Sequence, residues 1–340
     1  MTFFSSREPY VIAEVGQNHQ GSVDNAFDYV KRFAFEGADA VKFQVRDNKY
    51  LFSSEAYEKP YASENAFAPT YGAHREYLEL THDEIIRVKK CCDENKVDFI
   101  ATPFDEPSLD FLVRIKSAAL KVASFDLGNL PFLQLISQSG LPVVISCGGG
   151  NDEQIDASIK VLSSSSAEIA VLHCVSEYPC KYDRLGLQRV QDLIKQYPSL
   201  VIGSSDHFNG TLSGAVARLL GAKVFEKHVT LYRSWQGTDH SFALEPDGFR
   251  RFARDIRRVN HMLPAKPNDD LGSEPVFKKL GKSLIVNRDI EAGEIITISD
   301  LSGKIFTDNY VPVRESLDFI GKKLTHSLSK GSYILYEHVK

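Results

Sequence analysis

His207 closes the run LVIGSSDH and His228 lies in the run VFEKHVT; Ser205 and Glu226 precede them by two positions. Residues two apart on an extended chain share a face, so each imidazole has a polar neighbour on its own side. If the two runs are adjoining strands, the imidazoles lie ~5 Å apart, a separation that suits one shared divalent ion. Two separate hydrogen-bonded core histidines fit the same spacing. With two protein nitrogens, and Glu226 or water completing the shell, the expected ion is octahedral rather than a closed structural zinc. Mn²⁺ is the first expectation, with Mg²⁺ and Co²⁺ as alternatives.

Lys42 and Lys121, with the hydroxyls of Thr102, Ser124, Ser146 and Ser205, have the composition of a socket for a phosphate and a carboxylate together. Lysine supplies point charge and hydroxyls supply neutral donors. The stretch SCGGGNDE, residues 146–153, adds backbone N–H groups at the start of a helical pattern, although a glycine run also marks a plain turn. A lysine at a strand end has a second chemistry, the Schiff base of an aldolase, and that reading stays open. Lys227, flanked by Glu226 and His228, reads as a structural ion pair.

These residues need elements to hold them. From Val11 to about His261 short apolar runs alternate with stretches of helical period. The predicted strands are VIAEVG, AVKFQ, DFIATPF, ALKVAS, PVVIS, IAVLHCV, LVIGSSD and VFEKHVT. Predicted helices include VDNAFDYVKRFAFEG, THDEIIRVKKCCDEN, DEPSLDFLVRI and DGFRRFARDIRRV, several opened by a capping Asp, Ser or Thr. Eight β/α units in ~250 residues predict an α/β fold of the (β/α)₈ TIM-barrel type, over residues 1–263, with an open doubly wound sheet as the rival. Nearly every predicted strand ends in a polar group: Glu14, Lys42 with Gln44, Thr102, Lys121, Ser146, Ser205 with His207, and Glu226 with His228. Ser124, Asp126, Ser176 and Tyr178 follow close behind. Catalytic groups collect at that end of such barrels. The connection from Arg46 to Leu80 is far longer than the usual 2 to 6 residues, which points to a functional loop. Within it Tyr71, His74 and Arg75 either face a ligand or decorate a surface turn.

PAKPNDDLGSEP, residues 264–275, opens a predicted linker over 264–279. Residues 280–340 then read as a small, mostly β module of ~60 residues, near the lower limit for folding alone.

The composition excludes several classes. The chain has 340 residues, 43% hydrophobic and 25% charged, ordinary globular values. No apolar run reaches the ~18 residues of a spanning helix, and the first residues lack the pattern of a signal peptide, so the expectation is a soluble, cytoplasmic protein with no membrane partner. Five cysteines without a CxxC pair suggest neither a disulfide framework nor a thiolate zinc site. The net charge of −5 arises from interspersed residues of both signs, which argues against a nucleic-acid partner.

The order of several motifs resembles one family closely. IAEVGQNHQGSVDNA, GADAVKFQ, KVASFDLGNLPFL, LHCVSEYP, SDH and EKHVTLYRSWQGTDHSFALEP look like successive signatures of the sialic acid synthases, over essentially the whole chain. EKPYASENAFAPTYGAHREYLELTHDE is most similar to the animal-type branch, and the tail resembles the antifreeze-like (SAF) domain. The resemblance implies condensation of phosphoenolpyruvate with N-acetylmannosamine or its 6-phosphate, and a homodimer that swaps the small domain. It places His207 and His228 on the metal. Lys42, Thr102, Lys121, Ser124, Ser146, Ser176 and Ser205 fall to phosphoenolpyruvate. Glu14, Tyr178 and Asp239 fall to the acceptor or the reacting centre; for a phosphorylated acceptor the loop residues Tyr71, His74 and Arg75 are further candidate contacts, against the surface-turn reading. Glu14 or Asp126 is implied in proton transfer. One position departs: Lys304-Ile305 stands where bacterial-type members have an Arg that reaches the acceptor's acyl group. A related synthase with another acceptor, a Schiff-base aldolase and a non-catalytic carbohydrate-binding relative are the competing readings.

Overall fold

The computed structural model describes residues 3–6, 8–165, 167–270 and 272–340. The chain divides into two compact units, Met1–Leu263 and Pro264–Lys340.

In the first unit eight parallel strands close on themselves in chain order. They are β1 (Tyr10–Gly16), β2 (Ala40–Val45), β3 (Asp98–Pro103), β4 (Ala119–Val122), β5 (Val143–Ser146), β6 (Ile169–Cys174), β7 (Val201–Asp206) and β8 (Val224–His228). The barrel expectation therefore holds, and the open sheet is excluded by the pairing of β1 with β8, which sets Glu14 beside His228. The outer helices are α1 (Val23–Phe35), α5 (His82–Glu94), α6 (Glu106–Arg114), α7 (Leu130–Gln138), α8 (Asp152–Leu162), α9 (Arg189–Gln196), α10 (Leu212–Leu219) and α11 (Pro246–Arg258). The connection after β2 adds three short helices, α2 (Asn48–Leu51), α3 (Ser54–Glu58) and α4 (Tyr71–Leu78).

The helices form where local signals agree. Thr81 and Glu84 make a reciprocal capping box at the start of α5, satisfying backbone donors that have no partner within the helix. Pro246 opens α11, and Phe249, Phe252, Ala253 and Ile256 recur at helical spacing to bury one face against the barrel. The apolar material forms two layers. One lies between strands and helices and includes Val41, Phe43, Phe99 and Phe225. The other fills the lower barrel interior with Ile12, Ala40, Ile100, Ala119, Val144, Leu172 and Val224, and includes Phe4. Among the described residues no helix is long and apolar enough to cross a membrane.

The second unit contains α12 (Pro275–Leu280) and an antiparallel pair, β9 (Ser283–Val286) with β10 (Leu301–Lys304), around a core of Leu284, Val286, Ile290, Ile296 and Phe319. Its antiparallel sheet and single small core are those of a SAF-like domain. Pro at the first turn starts the short helix α12, which overlaps the last residues of the predicted linker.

Candidate active site

The upper ends of the strands enclose a cavity of about 750 Å³. Strand alternation builds its floor, because each strand presents to the interior the residue two positions after an apolar one. Lys42, the inward residue of β2, lies 2.7 Å from Glu14 Oε2 on β1 and 3.7 Å from Glu226 Oε1 on β8. Gln44 donates to Glu14 Oε1 at 3.0 Å, and Ser205 donates to Glu226 Oε1 at 3.1 Å. The carboxylates and the ammonium are almost wholly shut from solvent.

That burial sets the protonation behaviour. Desolvation pushes the Glu14 carboxyl up to about 7, against the opposing pull of Lys42. Glu226 is driven up by burial too, but Lys42, Lys121 and His228 outweigh it and hold it below the usual range. Burial lowers Lys42, yet its two carboxylate neighbours more than compensate and leave it raised. Lys121 has no such pairing: its Nζ donates to the Val122 carbonyl at 2.8 Å, and burial pulls its pKa down. The hydroxyls of Thr102, Ser146 and Ser205 line the same floor, with that of Ser124 beside them. Ser146 Oγ is buried without a hydrogen-bond partner, so a donor or acceptor from a ligand has an empty place to meet it.

The glycine run after β5 completes this side. The Gly148 N–H donates to Ser124 Oγ at 3.1 Å, and a Cβ on Gly148 would collide with the Ser176 and Ser124 hydroxyls. The missing side chain therefore lets two hydroxyls and a backbone donor crowd together.

His207 and His228 do meet. Their ring centroids are 5.3 Å apart and the rings are inclined by 53°. His207 Nδ1 lies 2.8 Å from the Val175 carbonyl, which fixes the proton on Nδ1 and leaves Nε2 as the free lone pair. His228 Nδ1 is buried without a hydrogen-bond partner, 3.8 Å from Asp239 Oδ2, and desolvation keeps this imidazole neutral by lowering its pKa. Glu226 Oε2 is a second unpartnered buried atom. Two imidazoles and an unused carboxylate oxygen fit a divalent cation with open coordination positions. No three His, Cys, Asp or Glu side chains among the described residues converge into a ready metal set, which does not suit a closed structural site. Tyr178, 4.0 Å from His207 by ring centroids, and Phe242, 5.3 Å from His228, wall the pair with aromatic faces.

Most sequence-predicted residues therefore share one cavity wall: Glu14, Lys42, Thr102, Lys121, Ser124, Ser146, Ser205, His207, His228, Tyr178 and Asp239. Tyr71, His74 and Arg75 line it as well, so the surface-turn reading of that segment is corrected: α4 turns them inward. His74 is buried, with its Nδ1 accepting from the Phe67 N–H, which leaves it a packing role. Two expectations are not met on the wall. Asp126, in a short turn after β4, lies outside the lining and accepts from Asn129 at 2.9 Å. Ser176 is exposed and reaches the site only through the Gly148 turn. Both follow the ends of their strands, where alternation no longer aims the side chain. Lys227 points the other way, out of the barrel. It pairs with Asp206 at 2.7 Å, linking β7 to β8, as a structural ion pair should.

Sequence reasoning missed Gln17, Arg46, Glu79 and Cys174, all on or against the cavity. Two of these had a signal. Arg46 continues the inward series Lys42, Gln44, and Cys174 continues Ala170, Leu172.

The NeuB family profile matches residues 29–267. The chain is 32% identical to the human N-acetylneuraminate-9-phosphate synthase over 331 residues, 97% of this chain and 92% of that protein. It is 30% identical to the N,N'-diacetyllegionaminic acid synthase of Legionella pneumophila, across 99% of this chain and 96% of the relative. Among solved structures it resembles the N-acetylneuraminic acid synthetase of Leptospira borgpetersenii in complex with citrate, with a TM-score of 0.70 and 27% identity over 78% of this chain and 90% of that one.

Proposed function

The chain belongs to the NeuB family of sialic acid synthases, and on that premise we propose that its barrel condenses phosphoenolpyruvate with the open-chain aldehyde of N-acetylmannosamine or its 6-phosphate. Water is consumed, and the products are N-acetylneuraminate or its 9-phosphate and inorganic phosphate. The observation that carries this reading is the floor of the cavity. Two buried lysines, Lys42 and Lys121, stand among hydroxyls of which Ser146 has no protein partner, directly beside a carboxyl whose pKa is raised to about 7.

Lys42 and Lys121 hold the phosphate and carboxylate of the enol ester, with Thr102, Ser124, Ser146 and Ser205 as neutral donors. This fixes the C3 face of the enol toward the aldehyde, so that positional freedom is lost before reaction rather than during it. C3 attacks the aldehyde carbon, and the aldehyde oxygen takes up a proton. Water adds at C2, and phosphate leaves with its bridging oxygen, so the C–O bond breaks. Glu14, oriented by Gln44 and Lys42, receives the proton of that water; a carboxyl poised near neutrality suits this exchange, worth ~10²- to 10⁴-fold. His207 and His228 would hold a divalent cation, Mn²⁺ by preference, which when bound would supply Lewis acidity toward the aldehyde oxygen. Asp239 and Tyr178 orient the acceptor.

The test is phosphate release from phosphoenolpyruvate with each sugar. We expect release, retention of the bridging oxygen by the phosphate when that atom is ¹⁸O-labelled, and loss of activity with a chelator that Mn²⁺ restores. One observation favours a rival. Lys121, buried and of lowered pKa, has the properties of a Schiff-base lysine. Borohydride with pyruvate traps a covalent lysine adduct in that case and none in ours. A NeuB-type synthase for a different amino sugar would show release with that sugar instead.

A further inference from the structure

The wall formed by the connection after β2 carries two guanidinium groups in opposite electrostatic states. Arg46 is neutralised. Its Nη1 lies 2.9 Å from Glu79 Oε1, its Nη2 donates to Gln44 Oε1 at 2.7 Å, and it covers the Phe104 ring at 4.2 Å. Arg75 has no carboxylate partner among the described residues. Its Nε and Nη2 donate to the Tyr71 hydroxyl at 3.1 and 2.7 Å, and its Nη1 donates to Gln17 Oε1 at 2.5 Å. All of these acceptors are neutral. Glu79 is already committed to Arg46 and to Gln17 Nε2, the latter at 2.8 Å.

A guanidinium has five N–H donors. Three of those of Arg75 are used, which leaves two open on a group that lines the cavity. The side chain is half-buried and held at three points, so little freedom remains to be lost when an anion arrives. On the floor Lys42 has two carboxylates beside it; on the wall the charge of Arg75 is felt by Glu79, which is shared with Arg46.

We propose that Arg75, held in place by Tyr71 and Gln17, is a second anion subsite and the residue that selects an acceptor carrying a phosphate ester. This deepens the synthase reading above and rests on it. The enol phosphate and its carboxylate are met by Lys42, Lys121 and the floor hydroxyls. A neutral amino sugar would bring no group to pair with the half-buried Arg75 guanidinium. A phosphate ester on the acceptor brings one, because two of its oxygens match the open pair of N–H groups of a planar guanidinium. His74 takes no part in this contact, since its Nδ1 accepts from Phe67, and burial, then the nearby Arg75 charge, lower its pKa.

The experiment compares kcat/KM for N-acetylmannosamine and its 6-phosphate, at saturating phosphoenolpyruvate, in the wild type, Arg75→Gln and Arg75→Lys. The wild type should favour the phosphorylated sugar, and Arg75→Gln should raise its KM ~10- to 100-fold, the range of one charge-assisted contact. The ratio between the two sugars should then fall toward one, and Arg75→Lys should restore part of it. The KM for phosphoenolpyruvate should not move. Equal losses with both sugars, a raised KM for phosphoenolpyruvate, or a wild type indifferent to the phosphate would each overturn the assignment while leaving the synthase reading intact. Absence of phosphate release with either sugar would remove the synthase reading itself. In that event calorimetric titration of the wild type and Arg75→Gln with the 6-phosphate decides the subsite separately: equal affinities refute it, and a ~10-fold weaker variant supports it.

Discussion

Along seven of the eight strands the inward side chain changes character within two residues. Ile12 gives way to Glu14, Ala40 to Lys42, Ile100 to Thr102, Ala119 to Lys121, Val144 to Ser146, Leu172 to Cys174 and Val224 to Glu226. Both layers are almost wholly buried, so burial by itself does not separate them. The lower layer is packed apolar core. The upper layer faces an open cavity, and its polar groups pair with one another only in part, leaving Ser146, Glu226 and His228 with unused atoms. A stabilising core and a reactive floor are thus one step of the strand apart, and desolvation costs are accepted only in the upper one.

The largest expected effect comes from turning the upper layer apolar. Lys121→Met should lower kcat/KM for phosphoenolpyruvate ~10²- to 10³-fold, because a fixed cation facing a developing charge is lost. The same variant should melt at an unchanged or slightly higher temperature, since an unpaired buried ammonium is removed. A fall in melting temperature with activity retained would erase the distinction between the layers.

Lys227→Met tests the same strand on its outer side. Lys227 is fully buried against Asp206, which also accepts from Ser213 and from the Phe208 N–H. Removing one partner leaves a buried carboxylate uncompensated and should cost about 3 kcal/mol in urea unfolding. This loss, with kcat per folded molecule kept, would mark Lys227 as structural.

Val144→Ser carries the upper-layer chemistry into the lower layer. It buries a hydroxyl within the apolar lower cluster and should cost about 2 kcal/mol, with kcat/KM at 25 °C unchanged.

The smallest effect belongs to His19, a buried imidazole outside the strands. It accepts from the Gly21 N–H, and desolvation pushes its pKa down to about 4. The folded state keeps it neutral, while the unfolded chain takes up a proton below about pH 6.5. Stability should therefore be full above that pH and fall as pH drops toward 4, by about 1 kcal/mol between pH 6.5 and 5.5. His19→Gln should flatten that portion of the stability profile.

Much of this site is legible in the chain. The eight strands and the four helices α1, α5, α6 and α11 are readable because period-two and helical patterns, caps and proline positions agree locally. Ser176 and Asp126 are the two positions that the sequence misplaces on the wall, because the chain has left the strand at both and no periodicity fixes their direction. The helix α12 is hidden within the linker because its segment buries no residue that would show a helical stripe.

The sequence by itself determined which groups sit at the strand ends, since inward and outward sides follow from counting in twos. Only the tertiary structure decided their state. Whether Arg46 or Arg75 retains a free charge depends on Glu79 and on Gln17, the latter 58 positions from Arg75, and whether Glu14 titrates near neutrality depends on Lys42 and Glu226. Charge balance and desolvation are sums over neighbours in space, and closing the barrel is what brings those neighbours together.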